Sequence, residues 1–416
     1  MGPGLVTGAS DDDPSGIATY AQTGAKFGFA MLWAALLTLP LMSAVQEICD
    51  RTALASGQGM GELITAKFAT RWRAVIGVLL AALIVANALN IAADLVAIGE
   101  GANLLHAGPV WLWALIAGAL ITALVLSGSF PVIARVFKVL CLALLAYVAV
   151  LLVVHVDWGQ VAAHTVIPHI QLSADYLALL AGVLGTTISP YLFFWQSAHR
   201  LEEMRDEPEG GPHFAEPLPE RGDRASRLKQ RTSRLDVFSG MGFSNLVMFS
   251  IVVASAVTLG AHGHRDIQGA AQAAQGLRPV AGRFASTLFA LGFIGSGMLA
   301  VPVLAGAGSA GMAGLLGKPS GFSRSIREAP VFYALVVAGT LGGMTLSLIG
   351  VNPVGLLVFV AIINGVAAAP FLIVVMIIAS DGTIMGEYTN GRLAQWLGWG
   401  TVALMAAAAI AVIATL

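Results

Sequence analysis

Three carboxylates in a row, Asp11, Asp12 and Asp13, precede Pro14 near the start of this chain. Ser10 stands before them, Ser15-Gly16 follows, and the run sits inside apolar sequence. In a membrane span each such acid costs a few kcal/mol, about 2.5–3.5 on insertion scales. Pro14 removes a helical hydrogen-bond donor, and Gly16 tolerates unusual backbone dihedrals. These residue types point to an unwound segment facing a water-filled cavity, where freed carbonyls and at least one carboxylate meet a cation. Three charged neighbours repel one another unless a cation or hydrogen-bond donors intervene. Asp11 and Asp12 either draw cations toward the site or lie in solvated loop and cap the next half-helix. The second reading is the expectation. A second interruption, Gly185-Thr186-Thr187-Ile188-Ser189-Pro190-Tyr191, again sets a proline in mid-span among hydroxyls. Paired breaks at corresponding positions of two halves mark a midplane binding site.

The elements that would hold these breaks are membrane spans. The chain has 416 residues, 57% hydrophobic and 11% charged, with a mean hydropathy of +0.81. Soluble domains carry about a quarter charged residues. Eleven apolar segments can be read, at about 3–26, 28–48, 74–98, 110–127, 133–155, 177–198, 236–260, 284–314, 330–349, 353–379 and 395–416. Each is long enough to cross about 30 Å as a helix. The expectation is an all-α membrane protein with one transporter domain over 1–416. Its inverted five-helix repeats would cover about 1–157 and 175–380, with an extra helix at about 395–416. The polar stretch 200–234 reads as a loop. No cleavable signal peptide is expected before the first span.

Lys and Arg orient the spans. With the N-terminus in the cytoplasm, eighteen of the 22 basic residues fall in cytoplasmic loops, and the C-terminus lies outside. The four others are Lys26, Arg265, Arg278 and Arg283. A net charge of −1 gives no footing for nucleic acid. Cys49 and Cys141 lie in apolar runs and read as packing residues. No hydrolase or kinase motif is present, and Gly57-Gln58-Gly59-Met60-Gly61 lacks the context of a nucleotide fingerprint. Glu47 and Arg51, four apart, read as a surface helix pair. His262 and His264 read as surface histidines. The small residues from Gly292 to Gly317 read as close helix packing, and Asn245 as an interhelical hydrogen bond.

Several motifs resemble those of the NRAMP family of divalent-metal transporters over almost the whole chain. Gly2-Pro3-Gly4 opens the first span as in that family, and Asp13-Pro14-Ser15-Gly16 stands where it has Asp-Pro-Gly-Asn. Ile17-Ala18-Thr19 and Gly24-Ala25-Lys26-Phe27-Gly28 continue the match. Ala93-Asp94-Leu95 is similar to its acidic Thr-Asp-Leu stretch. Ser380-Asp381, Met385-Gly386-Glu387 and Asn390-Gly391-Arg392-Leu393 resemble its signature between spans ten and eleven. The resemblance implies a LeuT-like fold of eleven transmembrane helices with helices one and six unwound. It also implies a monomer in the cell membrane and no resident cofactor.

Carried over by position, the resemblance makes Asp13, Gly16, Thr186 and Ser189 the metal-binding candidates. Gly16 replaces the family's Asn, Thr186 its Ala and Ser189 its Met. Tyr191 and Gln196 stand where the family has histidines. Ala368 stands at its tenth-span glutamine, with Asn364 nearby. Accessory candidates are Ser10, Asp11, Asp12, Asn90, Asp94, Thr187, Tyr191, Gln196 and Asn364. A thioether favours soft ions, whereas hydroxyl, carboxylate and carbonyl oxygens suit Mg²⁺, which also keeps several waters. The pattern is similar to the NRAMP-related magnesium transporters, a divergent branch. The expected function is alternating-access transport of Mg²⁺, with Mn²⁺ also accepted. Without the two histidines no imidazole titrates at the sixth span. Asp94 is either a proton relay or a hydrogen-bonding partner, for instance of Asn90. The alternatives are a carrier of a small organic solute, Mn²⁺/Fe²⁺–proton symport as in the main family, and a non-transporting receptor on the same scaffold.

Overall fold

The computed structural model describes residues 2–127, 145–152, 155–208, 210–211, 214–260, 267, 285–348 and 353–415. Two short helices come first, α1 (Pro3–Asp11) and α2 (Pro14–Phe27). They are followed by α3 (Trp33–Ser56), α4 (Met60–Lys67), α5 (Thr70–Leu104), α6 (Val110–Leu126), α7 (Leu145–Leu151) and α8 (Trp158–Val166). A second pair of collinear pieces is α9 (Ala174–Thr187) and α10 (Pro190–Asp206). The chain continues through α11 (Asp223–Thr258), α12 (Ala285–Leu315), α13 (Pro330–Ser347) and α14 (Pro353–Ala379). It closes with the one-turn α15 (Gly382–Met385) and α16 (Arg392–Thr415). No strand occurs among the described residues. Among them, seven helical stretches are long and apolar enough to cross a membrane. Most of the expected fifth span, 133–155, lies outside the described residues, as do Cys141, His262, His264, Arg265, Arg278 and Arg283.

Both expected breaks are present, and their cause is local. Proline cannot donate to the preceding turn and biases the residue before it toward extended dihedrals. Asp13 (φ −67°, ψ 169°) precedes Pro14, and Ser189 (φ −76°, ψ 132°) precedes Pro190. The broken helices are packed between longer ones. α11 runs along both α1 and α2, and α14 lies against α9. That last contact is close: a Cβ on Gly185 would lie 2.5 Å from the Gly365 Cα. The small residues of α12 let it lie against α5, where Gly297 faces Ile98 and Gly308 faces Ile84. Asn245 donates to the Ala35 carbonyl at 2.9 Å and to Thr38 Oγ1 at 3.2 Å, an interhelical bond as expected.

The stretch 200–234 differs from the loop expected of it. α10 continues to Asp206, a 3-10 turn covers Leu218–Glu220, and α11 starts at Asp223. The charges that read as loop are instead paired across the two helix ends. Arg221 meets Glu207 at 2.8 Å and Lys229 meets Glu203 at 2.6 Å. Ala215 and Leu218 are buried with Ala53, Leu54, Leu201 and Met204.

Glu47 and Arg51 are also not a surface pair. Both are buried on α3. Arg51 bonds Glu47 at 3.0 Å, the Asn390 side chain at 2.7 Å and the Tyr388 carbonyl. Spacing of four places two side chains on one helix face but does not say whether that face is covered. Here the turn before α16 covers it. Part of the signature between spans ten and eleven is thereby tied to α3. Asp381 caps α15 through the Thr383 amide at 2.8 Å and pairs with Lys67 at 2.5 Å. The Lys67 hydrogen bond, helped by Thr383, holds the Asp381 carboxyl down to about 2.

Candidate functional site

The site forms where the two breaks face each other. Asp13 begins α2 as its N-cap. Its Oδ1 accepts from the Gly16 amide at 2.8 Å and from Ser15 Oγ at 2.6 Å. Such a cap satisfies donors that the first helical turn leaves unpaired. Its Oδ2 accepts from Asn90 Nδ2 on α5 at 3.2 Å and from the Tyr191 hydroxyl on α10 at 3.4 Å. Tyr191 also reaches the Ser10 carbonyl at 3.3 Å, so one phenol bridges both sides of the first break. The Ser10 hydroxyl donates back to the Val6 carbonyl at 2.7 Å.

Gly16 connects Asp13 to the second break. A Cβ placed on it would lie 2.9 Å from Thr186 Oγ1 and 3.3 Å from the Asp11 carbonyl oxygen. Two oxygens therefore converge on the space that a side chain at Gly16 would fill. Thr186 Oγ1 is buried and has no hydrogen-bond partner among the described residues. Ser189 sits at the N-cap position of α10 without capping it. Its hydroxyl turns back to the carbonyls of Gly185 at 2.7 Å and Thr186 at 2.9 Å, quieting the C-terminal end of α9. Thr187 Oγ1 is drawn to the Val183 carbonyl at 2.6 Å and stands 3.1 Å from the Tyr20 hydroxyl. It also meets Met248 Sδ of α11 at 3.8 Å, a buried thioether that the sequence alone did not bring to this break.

The remaining acids are buried, contrary to the solvated-loop reading of Asp11 and Asp12. α11 lies along α1 and excludes water from its last turn. Asp11 Oδ2 accepts from Ser244 on α11 at 2.7 Å, and Asp13, not its neighbours, caps the next half-helix. Among the described residues, both carboxylate oxygens of Asp12 and both of Asp94 lack a hydrogen-bond partner, as do Asn90 Oδ1 and Asn364 Oδ1. Asn90 does not pair with Asp94. It turns to Asp13, since one face of α5 presents both residues to the break and the first-span carboxylate is the acceptor Asn90 reaches. Unpaired buried carboxylate oxygens are costly unless a charge partner is supplied. The arrangement thus gathers carboxylate, amide, hydroxyl and carbonyl oxygens around the two breaks, with Asp11 and Thr186 at the C-terminal ends of α1 and α9 and Asp13 and Ser189 at the N-terminal ends of α2 and α10.

Gln196 lies elsewhere. Its Oε1 accepts from Thr7 at 2.5 Å and its Nε2 donates to Asp50 at 2.6 Å. Asp50 and Arg200 form a buried ion pair at 2.6 Å, and Ser233 also donates to Asp50. Arg200 reaches Asp236 at 3.3 Å, and Asp236 accepts from the amides of Gly2 at 2.9 Å and Gly4 at 2.7 Å. The start of α1 is thereby latched to α10, α11 and α3. No sequence signal singled out this cluster, because its members are spread from Gly2 to Asp236.

Known proteins share both sequence and architecture with this chain. The divalent metal cation transporter MntH of Verminephrobacter eiseniae is 27% identical over 402 residues, covering 94% of this chain and 83% of that protein. The protein of the same name from Klebsiella pneumoniae subsp. pneumoniae is 25% identical over 411 residues, covering 97% and 91%. The crystal structure of the Eremococcus coleocola manganese transporter, in complex with an aromatic bis-isothiourea substituted compound, superposes with a TM-score of 0.77 at 16% identity. It covers 100% of this chain and 86% of that one. The closed conformation of Mhp1, a nucleobase-cation-symport-1 family transporter, gives a TM-score of 0.59 at 13% identity, covering 100% and 91%. The fold is the LeuT-like one. A sequence profile of natural resistance-associated macrophage protein-like proteins matches residues 4–415, and this multi-pass membrane chain belongs to that Nramp family.

Proposed function

We propose that the protein carries divalent cations across the membrane by alternating access, with Mg²⁺ preferred and Mn²⁺ also accepted. The observation that carries the preference is the donor set around Gly16. Asp13, Thr186 Oγ1 and the Asp11 carbonyl are hard oxygens, and the latter two converge beside Gly16, where no side chain intervenes. Relatives named as divalent metal cation transporters support the cation class. Met248 is the competing observation, since its sulfur stands beside the second break. That sulfur meets the Thr187 hydroxyl, which also faces Tyr20, whereas the Asp13 oxygens are engaged by Gly16, Ser15, Asn90 and Tyr191.

The test is uptake of Mg²⁺, Mn²⁺ and Cd²⁺ into proteoliposomes by the wild type and by Ser189→Met. Wild type should move Mg²⁺ and Mn²⁺ and take up Cd²⁺ poorly. Ser189→Met should raise the Cd²⁺:Mg²⁺ uptake ratio about tenfold, which corresponds to about 1.4 kcal/mol in favour of the softer ion. A wild type already selective for Cd²⁺, with selectivity lost in Met248→Leu, would assign the site to a soft metal. Transport of an organic solute and of none of the three ions would sink the metal reading.

The proposal includes an orientation. The end bearing Arg51, Arg200, Arg221, Arg234 and Lys229 faces the cytoplasm, and the Lys26–Asp175 pair, 2.8 Å, lies at the outer end. A cysteine introduced at Gly210 should resist impermeant maleimide in intact cells and react after permeabilisation. Labelling from outside intact cells would reverse the orientation.

A further inference from the structure

A groove of about 600 Å³ opens where α3, α11 and α16 meet, at the basic end of the bundle. Its mouth holds three guanidinium groups, Arg51, Arg234 and Arg392, and one carboxylate, Glu47. Arg51 is used up by Glu47, Asn390 and the Tyr388 carbonyl. Arg234 gives only its Nε, at 2.9 Å, to the same Glu47, and its side chain is 49% exposed. Its terminal nitrogens have no acceptor among the described residues. Arg392 is exposed and has no acceptor among them either. One acid faces three cations, so two cationic donors point outward over the mouth.

Deeper along the same groove the lining turns apolar. Ala44 and Pro40 lie three and seven residues back along α3 from Glu47, about 4.5 and 10 Å along the helix axis. Phe238 is 50% exposed and Leu393 72% exposed on the flanking helices, and Leu397 lies one turn beyond. Charge at the mouth and an apolar slot below it match the layering of a phospholipid: phosphate at the interface, acyl chain beneath. Basic pockets between helices at the cytoplasmic side bind anionic headgroups. A zwitterionic headgroup would bring its own cation against Arg234 and Arg392.

We propose that this groove holds one anionic phospholipid, with its phosphate bridging Arg234 and Arg392 and an acyl chain along Pro40, Ala44 and Leu397. The assignment is independent of which cation the protein carries. Native mass spectrometry of the purified full-length protein, given equimolar phosphatidylglycerol and phosphatidylcholine, reads it directly. Wild type should retain phosphatidylglycerol about tenfold over phosphatidylcholine. Arg392→Gln, which leaves the Arg234–Glu47 pair intact, should lower that preference severalfold. Arg234→Gln/Arg392→Gln should bring it near unity. Millimolar inorganic phosphate should not displace the lipid. Equal retention of the two lipids by wild type would overturn the proposal, as would an unchanged preference in both variants. Displacement by phosphate would reduce the groove to a simple anion site. A dimer in place of the lipid adduct would give the face to a second copy. Should the double variant fail to fold, the wild-type and Arg392→Gln comparisons still decide.

Discussion

Replacing Asp13 with alanine should reduce divalent-cation uptake about a hundredfold or more. Partners that merely orient a metal ligand cost about 10–100-fold in affinity when removed, so loss of the ligand itself should cost at least that much. Alanine also removes the cap of α2, worth about 1 kcal/mol. Asp13→Asn separates the two effects: its amide oxygen still accepts from the Gly16 amide while the charge is gone. Uptake should be lost in both variants, and the melting temperature should fall only in the alanine variant. Asn90→Ala, which deletes the donor at 3.2 Å, should cost about tenfold. Asp11→Ala and Asp12→Ala should reduce uptake less than Asp13→Ala. Full uptake by Asp13→Asn would remove the carboxylate from the site.

Arg200→Ala should release the start of α1. The guanidinium is buried against Asp50, Glu203 and Asp236, and breaking a buried pair by removing one partner costs about 3–5 kcal/mol. The penalty arises because Asp50 stays buried while losing its 2.6 Å charge partner. Asp236 would still cap Gly2 and Gly4 but would no longer be tied to α10. In the proposed alternating-access cycle such a latch would close one side while the other opens. A cysteine at Thr7, buried behind the latch, should therefore react with a water-soluble maleimide more than tenfold faster in the Arg200→Ala background. Unchanged labelling together with unchanged thermal stability would deny the cluster any closing role. Asp50→Asn should have a milder effect, since Gln196 and Ser233 still engage position 50.

The breaks were legible in the sequence because their cause lies within two residues. Asp13-Pro14 and Ser189-Pro190 set their own dihedrals, and the proline interrupts the helix whatever packs around it. The convergence of the two breaks followed from the repeat. What faces what across the bundle did not. Asn90 meets Asp13 across 77 residues and Asp50 meets Arg200 across 150. Neither contact leaves a trace in periodicity. Spacing within α5 suggested Asn90 with Asp94, yet Asn90 turns to Asp13 at the start of another helix. Glu47 with Arg51 and the 200–234 stretch failed for one reason. Polar composition reports charge, while burial depends on the element that arrives from elsewhere in the chain. The same limit hid Met248, an apolar-looking residue on α11 whose sulfur reaches Thr187.

Calorimetric titration of purified wild type and Asp13→Asn with Mg²⁺, Mn²⁺ and Cd²⁺ tests the central claim most directly, because it reads the site without a transport cycle. The account predicts one saturable site for Mg²⁺ and for Mn²⁺ in wild type, weak binding of Cd²⁺, and no saturable Mg²⁺ binding in Asp13→Asn. Tight Cd²⁺ binding with no Mg²⁺ binding in wild type, or equal Mg²⁺ binding in both proteins, would contradict it.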